Sequence, residues 1–190
     1  MTRRRTLFLL LMVVVGVVVA AVVLVASRDT SDRPRELDMT AVPPCELISK
    51  ADLRRLNTTH LGDRVDLNSE FGEEGPDCRF FARDGATIDL GVVTNHGVDR
   101  WTDGDGGRGR TAEDVARIER FRVIRVATRI EREIDPDEDC RIYVDVADDQ
   151  SLKVFVHGVE PGSASACDVA HRAAEAAMRT LIDRAGPAEH

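Results

Sequence analysis

An uninterrupted apolar run near the N-terminus constrains this chain more than any other feature. Leu7 to Ala26 comprises 20 residues without a charged or strongly polar side chain. A helix of 20 residues is about 30 Å long, which is the thickness of the hydrocarbon core of a bilayer. In lipid the backbone satisfies its hydrogen bonds as a helix, even where many residues are β-branched valines. The run therefore predicts one transmembrane helix over residues 7–26.

The charges around this run predict its orientation. An arginine cluster at residues 3–5 precedes it, and the first acidic residue is Asp29. Because arginine and lysine favour the cytoplasmic side, we expect a single-pass protein of the bacterial cytoplasmic membrane, N-terminus inside and the rest outside. A cleaved secretory signal is the alternative, since residues 25–27 resemble a weak cleavage site, although signal cores usually have about 7–15 apolar residues. Both interpretations place the remainder outside the cytoplasm.

The rest of the chain divides into three parts. Residues 27–41 are polar and charged, and they predict a flexible tether after the anchor of residues 1–26. Residues 42–185 have the length of a single domain, and residues 186–190 form a tail. Removing the three N-terminal arginines from 26 basic residues leaves 23 against 34 acidic ones, a net charge of −11. A domain this acidic is repelled by nucleic acid, so we expect no nucleic-acid partner.

The first half of the domain mixes helix and strand signals. Ser49 and Asp52 form a capping box for a short helix that ends near Asn57, and residues 58–76 are expected to be irregular. Residues 78–82 and 87–94 are apolar runs joined by Asp84-Gly85, a strong hairpin signal. Residues 95–110 hold five of the 14 glycines and predict a flexible loop.

The second half predicts a helix, several strands and a long final helix. Thr111 to Arg120 is predicted to be a capped helix and residues 121–134 a strand. Residues 141–146 and 152–157 alternate around a turn, and Ser165 caps a helix with apolar residues at 3.6 spacing. The fold class predicted is α+β, with an antiparallel sheet of about five strands and two or three helices packed against it.

Four cysteines are spread along the domain: Cys45, Cys78, Cys140 and Cys167. None forms a C-x-x-C pair, which argues against zinc and thioredoxin-type redox sites, and an even count outside the cytoplasm favours disulfides. Of the three pairings, Cys45–Cys78 and Cys140–Cys167 is favoured because each would join a helix start to a strand start. Each bond could contribute roughly 3–4 kcal/mol. Reduced, buried thiols are the alternative.

The sequence around these cysteines resembles a known family. The relevant segments are Pro-Cys-Glu-Leu-Ile-Ser at residues 44–49 with Ala-Asp-Leu at 51–53, and residues 77–80, 140–144 and 166–170. They resemble an actinobacterial lipoprotein family known as domain of unknown function 3558, over about residues 42–181. The resemblance implies an extracytoplasmic domain of the cell envelope and supplies no catalytic residues. Unlike common family members, this chain has no lipid-attachment cysteine after its apolar run.

No catalytic or metal motif emerges from the sequence. It has neither a G-x-S-x-G elbow nor S-x-x-K, and its five histidines are isolated from one another. Asp103 begins a calcium-like loop, but Gly107 and Arg108 occupy its fifth and sixth positions, where an EF-hand requires an oxygen ligand and glycine. We therefore expect no catalytic residues, no metal and no cofactor, and a protein that is not an enzyme.

Two functional hypotheses remain. The first is a non-catalytic binding module that presents a sheet face, or the loop around Trp101, to an envelope protein or a small ligand, because tryptophan is enriched at binding hot spots. Alternatively, Trp101 folds back and packs on the core. The second hypothesis is an envelope hydrolase with two carboxylates about 5–10 Å apart in a cleft. A single tryptophan and a single tyrosine make an aromatic-lined sugar cleft a poor match.

Overall fold

Seven antiparallel strands form one sheet in the part of the chain that the structure describes. The structure is a computed structural model, and it describes residues 33–58, 62–65, 71–102, 110–128, 138–160 and 162–187. The strands are β1 (Asp63–Val65), β2 (Asp77–Phe81), β3 (Thr87–Val93), β4 (Arg110–Ile118), β5 (Phe121–Thr128), β6 (Cys140–Ala147) and β7 (Gln150–His157). The helices are α1 (Lys50–Arg55), α2 (Asp99–Thr102) and α3 (Ala166–Ala185), and a 3₁₀ turn spans Pro44–Glu46. The α+β class is confirmed, but the sheet has seven strands where about five were predicted.

The strand order, β1-β2-β3-β7-β6-β5-β4, joins two meanders side by side. The first meander is β1 to β3 and the second is β4 to β7, and β3 pairs with β7 in the middle of the sheet. Because β4 lies at the far edge, the chain must cross the sheet between β3 and β4. Residues 94–102 are the described part of this connection, and Trp101 within it packs on Tyr143 of β6. We call the face beneath it the crossing face and the opposite one the helix face.

The helix face holds the main core. Helix α3 packs against β6 and β7, and the 3₁₀ turn packs against β2 and β3. Ser165 caps α3 as predicted, since its hydroxyl oxygen accepts a hydrogen bond from the backbone nitrogen of Asp168. The buried stripe of α3 consists mainly of alanines, whose small side chains let a helix lie close to a sheet. Valine, isoleucine and leucine side chains of the strands fill this core.

The predicted helix over Thr111 to Arg120 is wrong. Those residues form β4 and its turn into β5, with Ile118 paired to Phe121. Glu119 and Arg120 between them have φ values of 48° and 74°. This is the left-handed backbone of a tight two-residue hairpin, which is usually marked by asparagine or glycine. Without that marker, the local capping pattern indicated a helix, and pairing with β5 decided otherwise.

The remaining predicted elements are either confirmed or differ from the structure in their bounds. The hairpins at Asp84-Gly85 and after Ala147 are confirmed. Strand β1 lies in the stretch expected to be irregular, and α2 lies in the expected loop. The predicted strand over residues 121–134 is β5 as far as Thr128, and residues 129–134 lie outside the described part. The predicted tail beyond Pro187 and the calcium-like loop at Asp103 also lie outside it.

Both favoured disulfides are present. Cys45 in the 3₁₀ turn is bonded to Cys78 in β2, and Cys140 at the start of β6 is bonded to Cys167 in the first turn of α3. Sequence separations of 33 and 27 residues close loops long enough for each bond to stabilise the fold by roughly 3–4 kcal/mol. One bond thus ties the 3₁₀ turn to β2, and the other ties α3 to β6.

The membrane prediction falls outside the described residues. Within the described ranges there is no helix of the length and apolar character that a bilayer crossing requires. The predicted span over residues 7–26 and the arginine cluster at 3–5 precede Arg33, where the description begins.

The predicted tether ends earlier than residue 41. Leu37 and Met39 are buried in the main core, and the Leu37 nitrogen donates to the Val146 carbonyl over 2.9 Å. Arg33 pairs with Asp145 through its guanidinium group. The polar composition of this segment gave no sign of these two buried apolar side chains, and the folded part of the described chain therefore includes residues that precede residue 42.

A fragment that starts at residue 42 should therefore be less stable than one that starts at residue 32. Loss of the buried Leu37 and Met39 side chains should lower the free energy of unfolding by about 3–6 kcal/mol. Urea denaturation of fragments 32–190 and 42–190, each with both disulfides formed, measures the difference. Equal midpoints would show that the segment does not contribute to the fold in solution.

Candidate functional site

The crossing face brings charged side chains together around a glycine. Gly91 of β3 is paired with Asp77 of β2 on one side and with Lys153 of β7 on the other. A Cβ atom on Gly91 would lie 1.9 Å from Oδ1 of Asp77 and 2.9 Å from Cε of Lys153. The absence of a side chain at this position lets the two neighbours meet above the strand, where Nζ of Lys153 lies 3.2 Å from Oδ2 of Asp77.

Two further residues complete this buried arrangement, which we call the Lys153 cluster. Nζ of Lys153 also lies 3.0 Å from Oε2 of Glu73, and the Tyr143 hydroxyl donates a hydrogen bond to Oε1 of Glu73. The side chains of Lys153, Glu73 and Asp77 are exposed by only 7%, 3% and 5%. One ammonium group thus serves two buried carboxylates.

Burial governs the protonation of the cluster. Burial raises the pKa of Asp77, and the charge of Lys153 opposes that rise. Burial also raises the pKa of Tyr143 well above its ordinary range, and the nearby charge of Glu73 adds to the effect. Tyr143 therefore stays a neutral hydrogen-bond donor, and the ammonium of Lys153 is occupied in compensating the carboxylates.

The Trp101 side chain lies inside the protein. It is 5% exposed, and its ring centroid lies 5.1 Å from that of Tyr143, 5.6 Å from that of His96 and 5.9 Å from that of Phe71. The alternative in which Trp101 packs back on the core is the one that the structure shows. Burial lowers the pKa of the neighbouring His96, which favours its neutral form. Whether the loop takes part in binding stays a prediction, because residues 103–109 lie outside the described part.

The other buried carboxylates of the crossing face are also paired with cations. Asp89 accepts two hydrogen bonds from Arg79, over 2.7 and 2.9 Å, and lies 3.5 Å from Nε2 of His157. Burial alone would raise the pKa of Asp89, yet the hydrogen bonds from His157 and Arg79 lower it. Asp145 is paired with Arg33. Among the described residues, the buried carboxylates of this face thus all form ion pairs with basic side chains.

A groove opens on the helix face, away from these charges. Its strand wall consists of Val115, Ala116, Arg125 and Ile142, and its helix wall consists of Cys167, Asp168 and His171 at the start of α3. The volume is about 330 Å³. A bulge in β4 between Asp114 and Ala116 shapes the mouth, and Val115 at this bulge is 46% exposed.

Polar groups surround the apolar floor of the groove. The guanidinium of Arg125 lies 3.8 Å from Oε1 of Glu113, and Nε2 of His171 lies 3.4 Å from Oε1 of Glu175. A concave site with an apolar floor and a few convergent polar groups is the usual form of a small-molecule pocket. Pockets of this kind are typically about 300–1,000 Å³, so the groove is at the small end of the range.

The sequence did not predict this groove. Its lining comes from the β4–β5 hairpin, from β6 and from α3, and these three parts are separated along the chain. The stretch over 111–120 was expected to be a helix, and the histidines were noted only as isolated from one another. Only the position of Cys167, in the first turn of a helix and bonded to a strand, indicated where two elements of the site would meet. In the described part of the chain, no group of three or more histidine, cysteine or acidic residues could hold a metal ion.

The fold and the groove define a class: a disulfide-linked α+β domain in which helices cover one face of a seven-stranded antiparallel sheet. The chain belongs to the family described as Protein of unknown function (DUF3558), which it matches over residues 23–180. Neither a curated protein nor a solved structure matches the chain.

Replacing Lys153 by methionine should show how much the balance of charges in the Lys153 cluster contributes to the free energy of unfolding. Both buried carboxylates would lose their contact with this ammonium, so we expect a loss of about 3–5 kcal/mol in the free energy of unfolding. The triple variant K153M/E73Q/D77N, which removes all three charges, should recover much of that loss. The matched control is K50M at the exposed Lys50, which should change stability by less than about 0.5 kcal/mol. Urea denaturation measures all three.

The same variants should differ in their dependence on pH. The folded state already holds the proton of Asp77 to a higher pH than the unfolded chain does, and K153M strengthens this tendency. A group whose pKa is raised by folding favours the folded state as the pH falls. K153M should therefore gain stability relative to the wild type between pH 7 and pH 5, whereas an unchanged difference would show that the carboxylates are not buried as described.

Proposed function

We propose that the protein is a membrane-anchored binding module, without catalytic activity, on the outer face of a bacterial cytoplasmic membrane. The apolar run over residues 7–26 and the arginine cluster before it support a single-pass anchor with the N-terminus inside. Two disulfides support an oxidising location outside the cytoplasm. The resemblance to actinobacterial lipoproteins supports a place in the cell envelope, with a helix in place of a lipid as the anchor.

The groove is the observation that carries the binding function. It combines an apolar floor with one cation and one anion on facing walls, and it lies at the surface of the domain. Its size favours a small ligand over a protein partner.

The hydrolase alternative finds little support in the geometry. Hydrolysis of a glycosidic bond uses two carboxyl groups that flank the substrate. Glu73 and Asp77 lie close enough to share Lys153, but both are buried, and their oxygens already contact its ammonium. Among the described lining residues of the groove, Asp168 is the single carboxylate. Recognition is therefore favoured over acid–base chemistry.

The location is tested on the full-length protein in cells. Protease added to spheroplasts should digest the domain, and the protein should stay in the membrane fraction after carbonate extraction. All four cysteines should resist alkylation until a reductant is added, as shown by intact mass. Protection from protease, or free thiols in the native protein, would contradict an extracytoplasmic domain.

Binding in the groove is tested by screening fragment 32–190 against a library of small polar and apolar fragments by nitrogen-15 NMR. Shifts should cluster at Val115, Ala116, Ile142 and His171, and the variant V115W should suppress them by filling the mouth. The matched control is F81W, because Phe81 is also exposed, by 42%, but lies on the distant strand β2. Shifts that are scattered over the surface, or unaffected by V115W, would remove the groove as the binding site.

A further inference from the structure

We infer that the groove binds a small zwitterion with an apolar side chain, of the size of a free amino acid or a dipeptide. The inference rests on the proposed function, since it specifies the ligand of the same groove. Three properties of the lining lead to it: the placement of two opposite charges, the apolar floor between them and the limited volume.

The two charges lie on opposite walls and do not neutralise each other. Arg125 belongs to β5 on the strand wall, and Asp168 belongs to the first turn of α3 on the helix wall. Among the described residues, the ion pair of Arg125 is with Glu113, not with Asp168. A ligand that carries both an anionic and a cationic group can therefore form an ion pair with each wall, which a ligand of single charge cannot do.

Each charge suits a different end of an amino acid. The planar guanidinium of Arg125 can donate two parallel hydrogen bonds to a carboxylate. Glu113 at 3.8 Å is beyond hydrogen-bonding distance, so a ligand carboxylate can take a closer position. The Asp168 carboxylate is an acceptor for an ammonium group, and His171 lies one turn further along α3.

The floor explains the apolar part of the ligand. Val115, Ala116 and Ile142 present methyl groups to the groove, and Val115 is one of the two large hydrophobic residues that remain exposed in the described structure. Covering them with an aliphatic side chain removes apolar surface from water on both partners. A volume of about 330 Å³ limits the ligand to a small molecule and excludes a long peptide.

Calorimetry on the full-length protein in lipid nanodiscs tests the inference. The probes are L-leucine and the dipeptide leucyl-leucine, compared with 4-methylpentanoate, which lacks the ammonium, and isopentylamine, which lacks the carboxylate. At least one zwitterion should bind about tenfold or more tightly than either analogue, as expected for the loss of one charged hydrogen-bonded contact. Equal affinity of the analogues and the zwitterions would overturn the inference.

Charge-removing variants assign each contact. R125Q should abolish the advantage of the zwitterion over isopentylamine, and D168N should abolish its advantage over 4-methylpentanoate. The matched controls are R122Q, on the same strand but paired with Asp114, and D183N, near the far end of α3. Each control should keep the full advantage, and an equal loss in a control would overturn the assignment of the charges to the groove.

The outcomes separate this inference from the function on which it rests. If apolar fragments occupy the groove and zwitterions do not, the groove remains a binding site and the inference about its ligand is wrong. If neither fragments nor zwitterions occupy it, both are wrong. If the zwitterions bind but V115W leaves their affinity unchanged, they bind elsewhere and the inference is again wrong.

Discussion

The pairing of β3 with β7 is the contact on which the rest of the fold depends. It runs from Thr87 opposite His157 to Val93 opposite Ser151, and it joins two meanders that would otherwise be separate sheets. Because β4 starts the second meander at the opposite edge, this pairing forces the chain to cross one face. The same register sets Gly91 beside Lys153, so the buried Lys153 cluster is also a consequence of it.

The two faces of the sheet have different chemistry because they are covered differently. On the helix face, alanines of α3 and the strand side chains form an apolar core that both disulfides tie together. On the crossing face, acidic side chains are buried, which is tolerable only because lysine and arginine pair with them. The buried ion pairs of the crossing face therefore stabilise the fold. The groove lies on the opposite face, where α3 leaves part of β4 and β5 uncovered.

Local signals predicted those parts of the structure whose cause is local. Asp84-Gly85 marked a hairpin, Ser49 and Ser165 capped helices, and cysteines near element starts indicated their pairing. The signals failed where distant contacts prevailed. A capping pattern over residues 111–120 could not reveal that β5 would take the segment into the sheet. The charged sequence of residues 27–41 could not show that Leu37 and Met39 would be buried in a core formed by residues much later in the chain.

The sequence by itself determined the α+β class, two of the hairpins, the favoured pairing of the cysteines and the expectation of an anchor over residues 7–26, because these follow from patterns within a few residues or from redox chemistry. Only the tertiary structure decided the order of the strands, the burial of Trp101, the Lys153 cluster and the groove. Each of these depends on which strands become neighbours. Ile142 and Asp168 join the β4–β5 hairpin in the groove only through contacts between residues distant in sequence, and no short-range pattern encodes their distance in space.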